Sequence, residues 1–282
     1  MNESPPLAPS RAANPQAQPG WVGAFRGIWL MTWRSQLTWR QLPARLGTLL
    51  VLPFLIYISM VSLDRRHPGD VSVHSMKSDA FYHWLLNFYF FLILPLACVR
   101  GCAPLIRDEL QADTLGFLIT RPVSRARLLM LKYASQVAWL EILLLVETLL
   151  LFAAGAARGV PSLDALLPLL LGVQMLAVPA WSALGLLLGQ LTTRYMAAAL
   201  LYGGVVEMGI GRIPTNINVL SIMRHLQTLL SQNAAIHGLY SWPPGKVSTA
   251  LAALIAAPVI FLGMAALLFN VVEYHHAAEM QK

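Results

Sequence analysis

Residues 163–189 read LDALLPLLLGVQMLAVPAWSALGLLLG, 27 residues with a single charge, Asp164, at their start. A bilayer is crossed by roughly 20 consecutive apolar residues, so this run is a spanning helix. Five more runs of the same kind flank it, at about 45–63, 81–104, 128–156, 195–211 and 248–272. Pro53, Pro95, Pro168, Pro179 and Pro258 fall inside these segments. Membrane helices tolerate such prolines as kinks, because neighbouring groups re-satisfy the freed carbonyls. Composition agrees: of 282 residues, 57% are hydrophobic and 12% charged, with mean hydropathy +0.60. Soluble domains carry about twice that share of charge. A soluble enzyme, a disulfide scaffold and a disordered chain are thereby excluded. The expected fold is an all-α membrane protein of six transmembrane helices.

The flanks add detail. Residues 1–20 are rich in Pro, Ala, Ser and Gln and show no signal peptide; they read as a disordered cytoplasmic tail. Residues 21–42 mix Trp21, Trp29, Trp33 and Trp39 with Arg26, Arg34 and Arg40. That pattern is too basic to span and suits a helix lying among lipid headgroups. The formal net charge of +7 is read as topology rather than nucleic-acid affinity. With the N-terminus inside, 13 Lys and Arg fall on the cytoplasmic side and 7 outside. The excess of cytoplasmic cations puts both termini in the cytoplasm, in an inner (plasma) membrane. Outside, between the last two spans, IMRHLQTLLSQ forms a helical pattern with Ile222, Leu226, Leu229 and Leu230 on one side. Two readings stand: a surface helix packed on the bundle, or one dipping into the outer leaflet to shape an exit gate.

The chain has no phosphate loop, HExxH, GxSxG or CxxC motif. It thus carries no nucleotide site or hydrolytic centre, and no cofactor is expected on it. Its most informative polar segment is 106–133, IRDELQADTLGFLITRPVSRARLLMLKY. Asp108 and Glu109 favour the first turn of a short helix through the helix dipole. Leu110, Leu115, Leu118 and Ile119 give it apolar faces, and Thr120–Arg121–Pro122 ends it. Ser124 suits the cap of the next helix. A short cytoplasmic helix of this kind either docks in a partner's groove or lies on the membrane.

This segment resembles the cytoplasmic signature of ABC-2 type transporter permeases, and is similar to that of the permease of the nitrous-oxide-reductase maturation exporter. The family pattern is an acidic stretch with E-x-x-x-[GD]-T-L, a leucine pair, R-P-[VI]-S-R and a lysine opening the third span. Here it is carried by Glu109, Asp113, Thr114, Leu115, Leu118, Arg121, Pro122, Val123, Ser124, Arg125 and Lys132. Gly116 stands where glutamate is common. The likeness extends over roughly residues 21–275, including a re-entrant region after span five around Glu207. It implies an N-terminal elbow helix and a dimer, with a second permease copy identical or different. It also implies two copies of a separate ATP-binding subunit, which would hold ATP and Mg. The 106–122 helix is then the coupling helix, with Arg107, Asp108, Glu109, Asp113, Thr114, Leu115, Leu118, Arg121 and Pro122 at the contact.

Within the spans, Glu141 and Glu147 lie about 120° apart around one helix, and Glu207 lies near the outer end of span five. A central carboxylate costs roughly 2.5–3.5 kcal/mol to insert. These three are therefore candidates for a translocation path or gate, against the alternative of internal hydrogen bonding. Asn87, Gln136 and Gln174 are uncharged candidates. Seven scattered histidines, Cys98, Cys102 and eleven unclustered methionines form no metal-ligand pattern. Gly185 and Gly189 form a small-xxx-small step that suits close packing within the monomer or a dimer seam; family resemblance adds Gly203 and Gly204 as dimer candidates. The expected function is the membrane subunit of an ABC exporter. An ATP-independent secondary transporter and a force-transmitting assembly factor are the alternatives, ahead of a membrane enzyme.

Overall fold

The structure, a computed structural model, describes residues 21–36, 42–67, 72–106, 125–209, 221–240 and 245–271. Among the described residues every regular element is helical. Helix α1 is Trp21–Gln36 and α2 is Leu42–Arg66. Helix α3, Val73–Ile106, is α-helical to His83, π-helical over Trp84–Ile93 and α-helical again from Leu94. Then come α4 (Arg125–Ala157) and α5 (Leu163–Leu191). Helix α6, residues 195–209, is α-helical over Tyr195–Tyr202 and π-helical over Gly203–Gly209. Helices α7 (Ile222–Leu230), α8 (Ala234–Leu239) and α9 (Val247–Val271) complete the described chain.

Four helices, α3, α4, α5 and α9, are long and apolar enough to cross a membrane. Helix α2 has 25 residues, with no Asp, Glu, Lys or Arg between Arg45 and Asp64. Helix α6 is shorter: its 15 residues rise at most about 22 Å. The expected interfacial helix at 21–42 divides differently. Helix α1 stops at Gln36, residues 37–41 lie outside the described set, and Leu42 already belongs to α2. Helix α1 packs on α4, where Trp33 stacks on Trp29 and meets Trp139 edge-on, each pair 5.4 Å between centroids.

Helix α5 is the hub. It packs against α9, against the last turns of α3, and against α4, α6 and α7. Two glycines set its distance from α3. A Cβ on Gly185 would stand 2.6 Å from the Val99 Cα, and one on Gly189 would overlap the Ala103 carbonyl. Backbone therefore meets backbone, which is how small residues hold membrane helices together. Of the two uses expected for the Gly185–Gly189 step, packing within the monomer is the one seen. Gly203 and Gly204 face open space. Around this core the outward faces remain apolar: Phe54 is 60% exposed, Val259 67% and Leu267 66%. A bundle whose helices are apolar both inward and outward has lipid, not water, as its solvent.

The helix ends are tied in pairs. At one end Asp64 of α2 pairs with Lys77 of α3 at 2.5 Å and with Arg158 in the turn after α4. Arg158 also lies over the Tyr57 ring, 5.3 Å from its centroid. At the opposite end Lys132 Nζ of α4 donates to the Leu105 carbonyl of α3 at 3.3 Å. The hydrogen bond from Lys77, helped by the charges of Lys77 and Arg158, holds the Asp64 carboxyl below its ordinary value. A lowered carboxyl stabilises the fold above its unfolded pKa and loses that contribution as pH falls through the folded value. The clamp's contribution is therefore present at neutral pH and is lost only as the pH falls through the lowered Asp64 value.

Two stability tests follow from this packing. Gly189→Ala should lower the thermal midpoint in detergent by several degrees, the scale of an overpacked core at about 1–3 kcal/mol, while Gly203→Ala should leave it unchanged. Equal shifts would show that the α3–α5 contact is not limiting. Asp64→Asn leaves the buried Lys77 ammonium without its anion, so its midpoint should fall further than that of the Asp64→Asn, Lys77→Met double variant. A double variant no more stable than the single would remove the clamp from the account.

Candidate functional site

Two buried polar sites stand out. The first joins α6 to α7. Gly203 and Gly204 open the π-helical end of α6, and one turn later Glu207 is 5% exposed. Its Oε1 accepts from the Ile222 amide at 3.1 Å and its Oε2 from the Met223 amide at 3.0 Å. Ser221 Oγ donates to Oε2 and itself accepts from the Arg224 amide at 3.1 Å. The first three amides of α7, which no helix can satisfy from within, are thus all paired. The positive end of the helix dipole faces the carboxylate. Ser221 is the N-cap that the preference for serine before a helical run would have revealed. Of the alternatives for Glu207, the internal hydrogen bond is what the side chain makes.

The second site lies where α3, α4 and α5 meet. Tyr89 and Thr148 hydroxyls are 2.7 Å apart, and both reach the Leu144 carbonyl, at 2.8 and 2.9 Å. Gln174 Oε1 accepts from Thr148 at 2.7 Å and lies 3.3 Å from the Tyr89 hydroxyl. All three side chains are buried. Beside this network Glu147 is 4% exposed, and its Oε1 meets no donor among the described residues. Both oxygens of Glu141, nearly two turns earlier on α4, are likewise buried. Tyr133 extends the polar seam along α4 by donating to the Pro179 carbonyl at 2.8 Å.

The structure does not bring the three expected carboxylates into one site. Glu141 and Glu147 belong to α4, whereas Glu207 serves the α6–α7 junction. Gln174 joins the network, and Asn87 takes another role: its Nδ2 donates to His83 Nδ1 at 2.8 Å and to the Tyr240 hydroxyl at 3.3 Å. Tyr89, Thr148 and Tyr240 were not singled out, because tyrosine and threonine in apolar runs pass as packing residues. Helix α7 packs on α9 and α5 with Ile222, Leu226, Leu229 and Leu230 buried, as the periodicity requires, together with His225 and Thr228.

A cavity of about 430 Å³ opens between the start of α3, the turn before α5 and α8. His74, Asp79 and Tyr82 line it, with Ser162, whose φ of 60° is left-handed. No three His, Cys, Asp or Glu side chains among the described residues group to hold a metal. Arg107, Asp108, Glu109, Asp113, Thr114, Leu115, Leu118, Arg121 and Pro122 lie outside the described residues. Of the described residues on either side, α3 ends at Ile106 and α4 opens at Arg125, near the Lys132–Leu105 bond.

An all-helical bundle with four spanning helices, an apolar outer surface and buried carboxylates is a multi-pass membrane protein. The family model described as ABC-2 family transporter protein matches residues 40–202, more than half of the chain. The match runs from the edge of α2 to the α-helical end of α6 and takes in the 107–124 segment. The chain belongs to the ABC-2 transporter family, whose members are membrane subunits of ABC transporters. No curated protein matches it.

Replacing Glu207 by Ala should leave the α7 amides of Ile222 and Met223 unpaired, at about 1.5–3 kcal/mol for each bond to the charged group. Hydrogen exchange at those two amides should rise by at least tenfold. Exchange that stays at the wild-type rate would show that water or lipid headgroups satisfy α7 equally well.

Proposed function

We propose that this chain is the transmembrane permease of an ABC exporter, working as a dimer beside two separate ATP-binding subunits that hold ATP and Mg. Family membership carries this reading. The segment 107–124 supports it further, since it links α3 to α4 at one end of the bundle and bears the basic turn and leucines of a docking helix. In this reading α2, α3, α4, α5, α6 and α9 are the six transmembrane segments, both termini are cytoplasmic, and α1 is the elbow helix. Helices α7 and α8 form the outer-leaflet segment after span five. The second permease copy is identical or a close relative. The signature at 109–125 supports kinship with the nitrous-oxide-reductase maturation exporter.

The mechanism is mechanical on this chain. Closure of the ATP-binding subunits displaces the coupling helix, and α3 and α4 tilt with it. The displacement requires that the helix contact the two ATPase states differently, since binding shifts only equilibria that it distinguishes. Glu141, Glu147 and the Tyr89–Thr148–Gln174 network supply the polar lining that a path through an apolar bundle needs.

The buried carboxylate oxygens of α4 favour one second reading, an ATP-independent secondary transporter. A mild-detergent pull-down from the native membrane separates the two. A stoichiometric soluble subunit with a phosphate loop and ATP hydrolysis supports the permease; its absence across several detergents supports the secondary transporter. Leu115→Asp or Leu118→Asp should remove the ATPase from the pull-down while membrane insertion continues. ATPase recovery equal to wild type would overturn the docking assignment.

A further inference from the structure

The cavity of about 430 Å³ between the start of α3, the turn before α5 and α8 has the size of a small-molecule site. Most of its polar groups come from α3, where His74, Ser75, Ser78 and Asp79 fall within two turns. The Ser75 hydroxyl donates to the Ser72 carbonyl at 2.7 Å, and the Ser78 hydroxyl to the His74 carbonyl at 3.0 Å. A hydroxyl has one hydrogen, so both oxygens have only lone pairs left to offer. The Asp79 carboxylate accepts and does not donate, and the His74 ring in its neutral form adds an acceptor nitrogen. Lys77 and Arg158, two cations close by in sequence, are both held by Asp64. Among the described residues no Lys or Arg pairs with Asp79 or lines the cavity. Tyr82 adds an aromatic ring, whose face attracts cations, and Leu239 adds apolar wall. Ser162, with its left-handed backbone, makes no capping bond to α5; strained positions of this kind gather at ligand sites.

The lining therefore offers acceptors and a negative charge, and suits a ligand that brings donors and a positive charge. We propose that the cavity binds a primary ammonium group on an apolar body, paired with Asp79, hydrogen-bonded to Ser75 and Ser78 and set against the Tyr82 ring. A primary ammonium has three N–H donors, enough for the carboxylate and the two hydroxyl oxygens together. A quaternary ammonium brings the charge without the donors and leaves those oxygens unserved. The first turns of α3 are polar and precede its apolar run, so the cavity stands where headgroups meet water. With the 107–124 link cytoplasmic, that is the outer side. The ammonium can be the headgroup of an amine-bearing phospholipid or belong to a free alkylamine, since the recognising chemistry is the same. The proposal goes beyond the permease reading and requires no ATPase.

Hydrogen exchange on the purified full-length chain in phosphatidylcholine nanodiscs tests it, with n-butylamine as the probe. Butylammonium should slow exchange at residues 73–83 and 235–239 in a saturable way, with α9 unchanged. Butanol, which lacks the charge, and butyltrimethylammonium, which lacks the N–H donors, should not. Asp79→Asn keeps the shape at an exposed position, so α5 should exchange as in wild type. The butylamine concentration for half-protection should then rise at least about tenfold, the scale of a lost charge-assisted bond. Ser78→Ala should raise it by a smaller factor. A second arm replaces part of the lipid by phosphatidylethanolamine. If the headgroup is the natural source, it competes and more butylamine is needed; if a free amine is the source, the half-protection point stays where it was. Either result supports the site and decides where its ammonium comes from. The proposal is overturned if butylamine gives no saturable protection. It is equally overturned if butanol or the trimethyl compound protects as well, or if Asp79→Asn responds as wild type does. Absence of an ATPase partner sinks the permease reading without touching this result.

Discussion

The contact on which the bundle depends is the meeting of two backbones, α5 at Gly185 and Gly189 against α3 at Val99 and Ala103. In water, two helices can rely on burying apolar surface. In lipid that drive is absent, and close van der Waals packing with internal hydrogen bonds must serve instead. A pair of glycines one turn apart brings the axes together far enough for both. The same seam then carries the Tyr89–Thr148–Gln174 network, whose hydroxyl and amide groups come from α3, α4 and α5. Were the helices farther apart, these groups would be unpaired in an apolar medium, where each costs several kcal/mol. Close packing and polar pairing are therefore one condition.

The short α6 follows a related rule. Its described residues rise at most about 22 Å, and the first amides of α7 need partners. Helix-end amides away from water are tolerated only where protein satisfies them. Glu207 and Ser221 do this with a charge on one helix and a cap on the next. A carboxylate that looks costly as an isolated residue in an apolar segment becomes the group that pairs the first amides of the next helix.

Much of this was legible in the sequence, and the reasons differ by element. Helices α4, α5 and α9 were placed to within a few residues because uncharged runs of such length have one outcome. The amphipathic pattern of α7 identified its buried face, since the 3.6-residue period survives in a short helix. Helix α3 begins eight residues before its apolar run, at Val73 rather than 81, because its first turns are polar and reach beyond the apolar region. The π-helical stretches were not foreseen, though Pro95 and the Gly203–Gly204 pair are the kind of residues that disturb an α-helical ladder. The carboxylates were found, but their partners were not. Which donor faces Glu207 depends on where the start of α7 sits against α6, and that is a matter of tertiary geometry rather than of local pattern.

The end ties have a mechanical meaning. Helices α3 and α4 are fastened together near one end by Lys132 and the Leu105 carbonyl, and near the other through Asp64, which holds Lys77 and Arg158 at once. Two rods pinned at both ends behave as a single beam. A beam as long as α4 spans about 50 Å, so a tilt of about 5° about one end carries the other by about 4 Å. A tilt of the pair thus moves one of its ends by several ångströms without bending either helix, and the small carboxylate at position 64 is what keeps the beam from splaying.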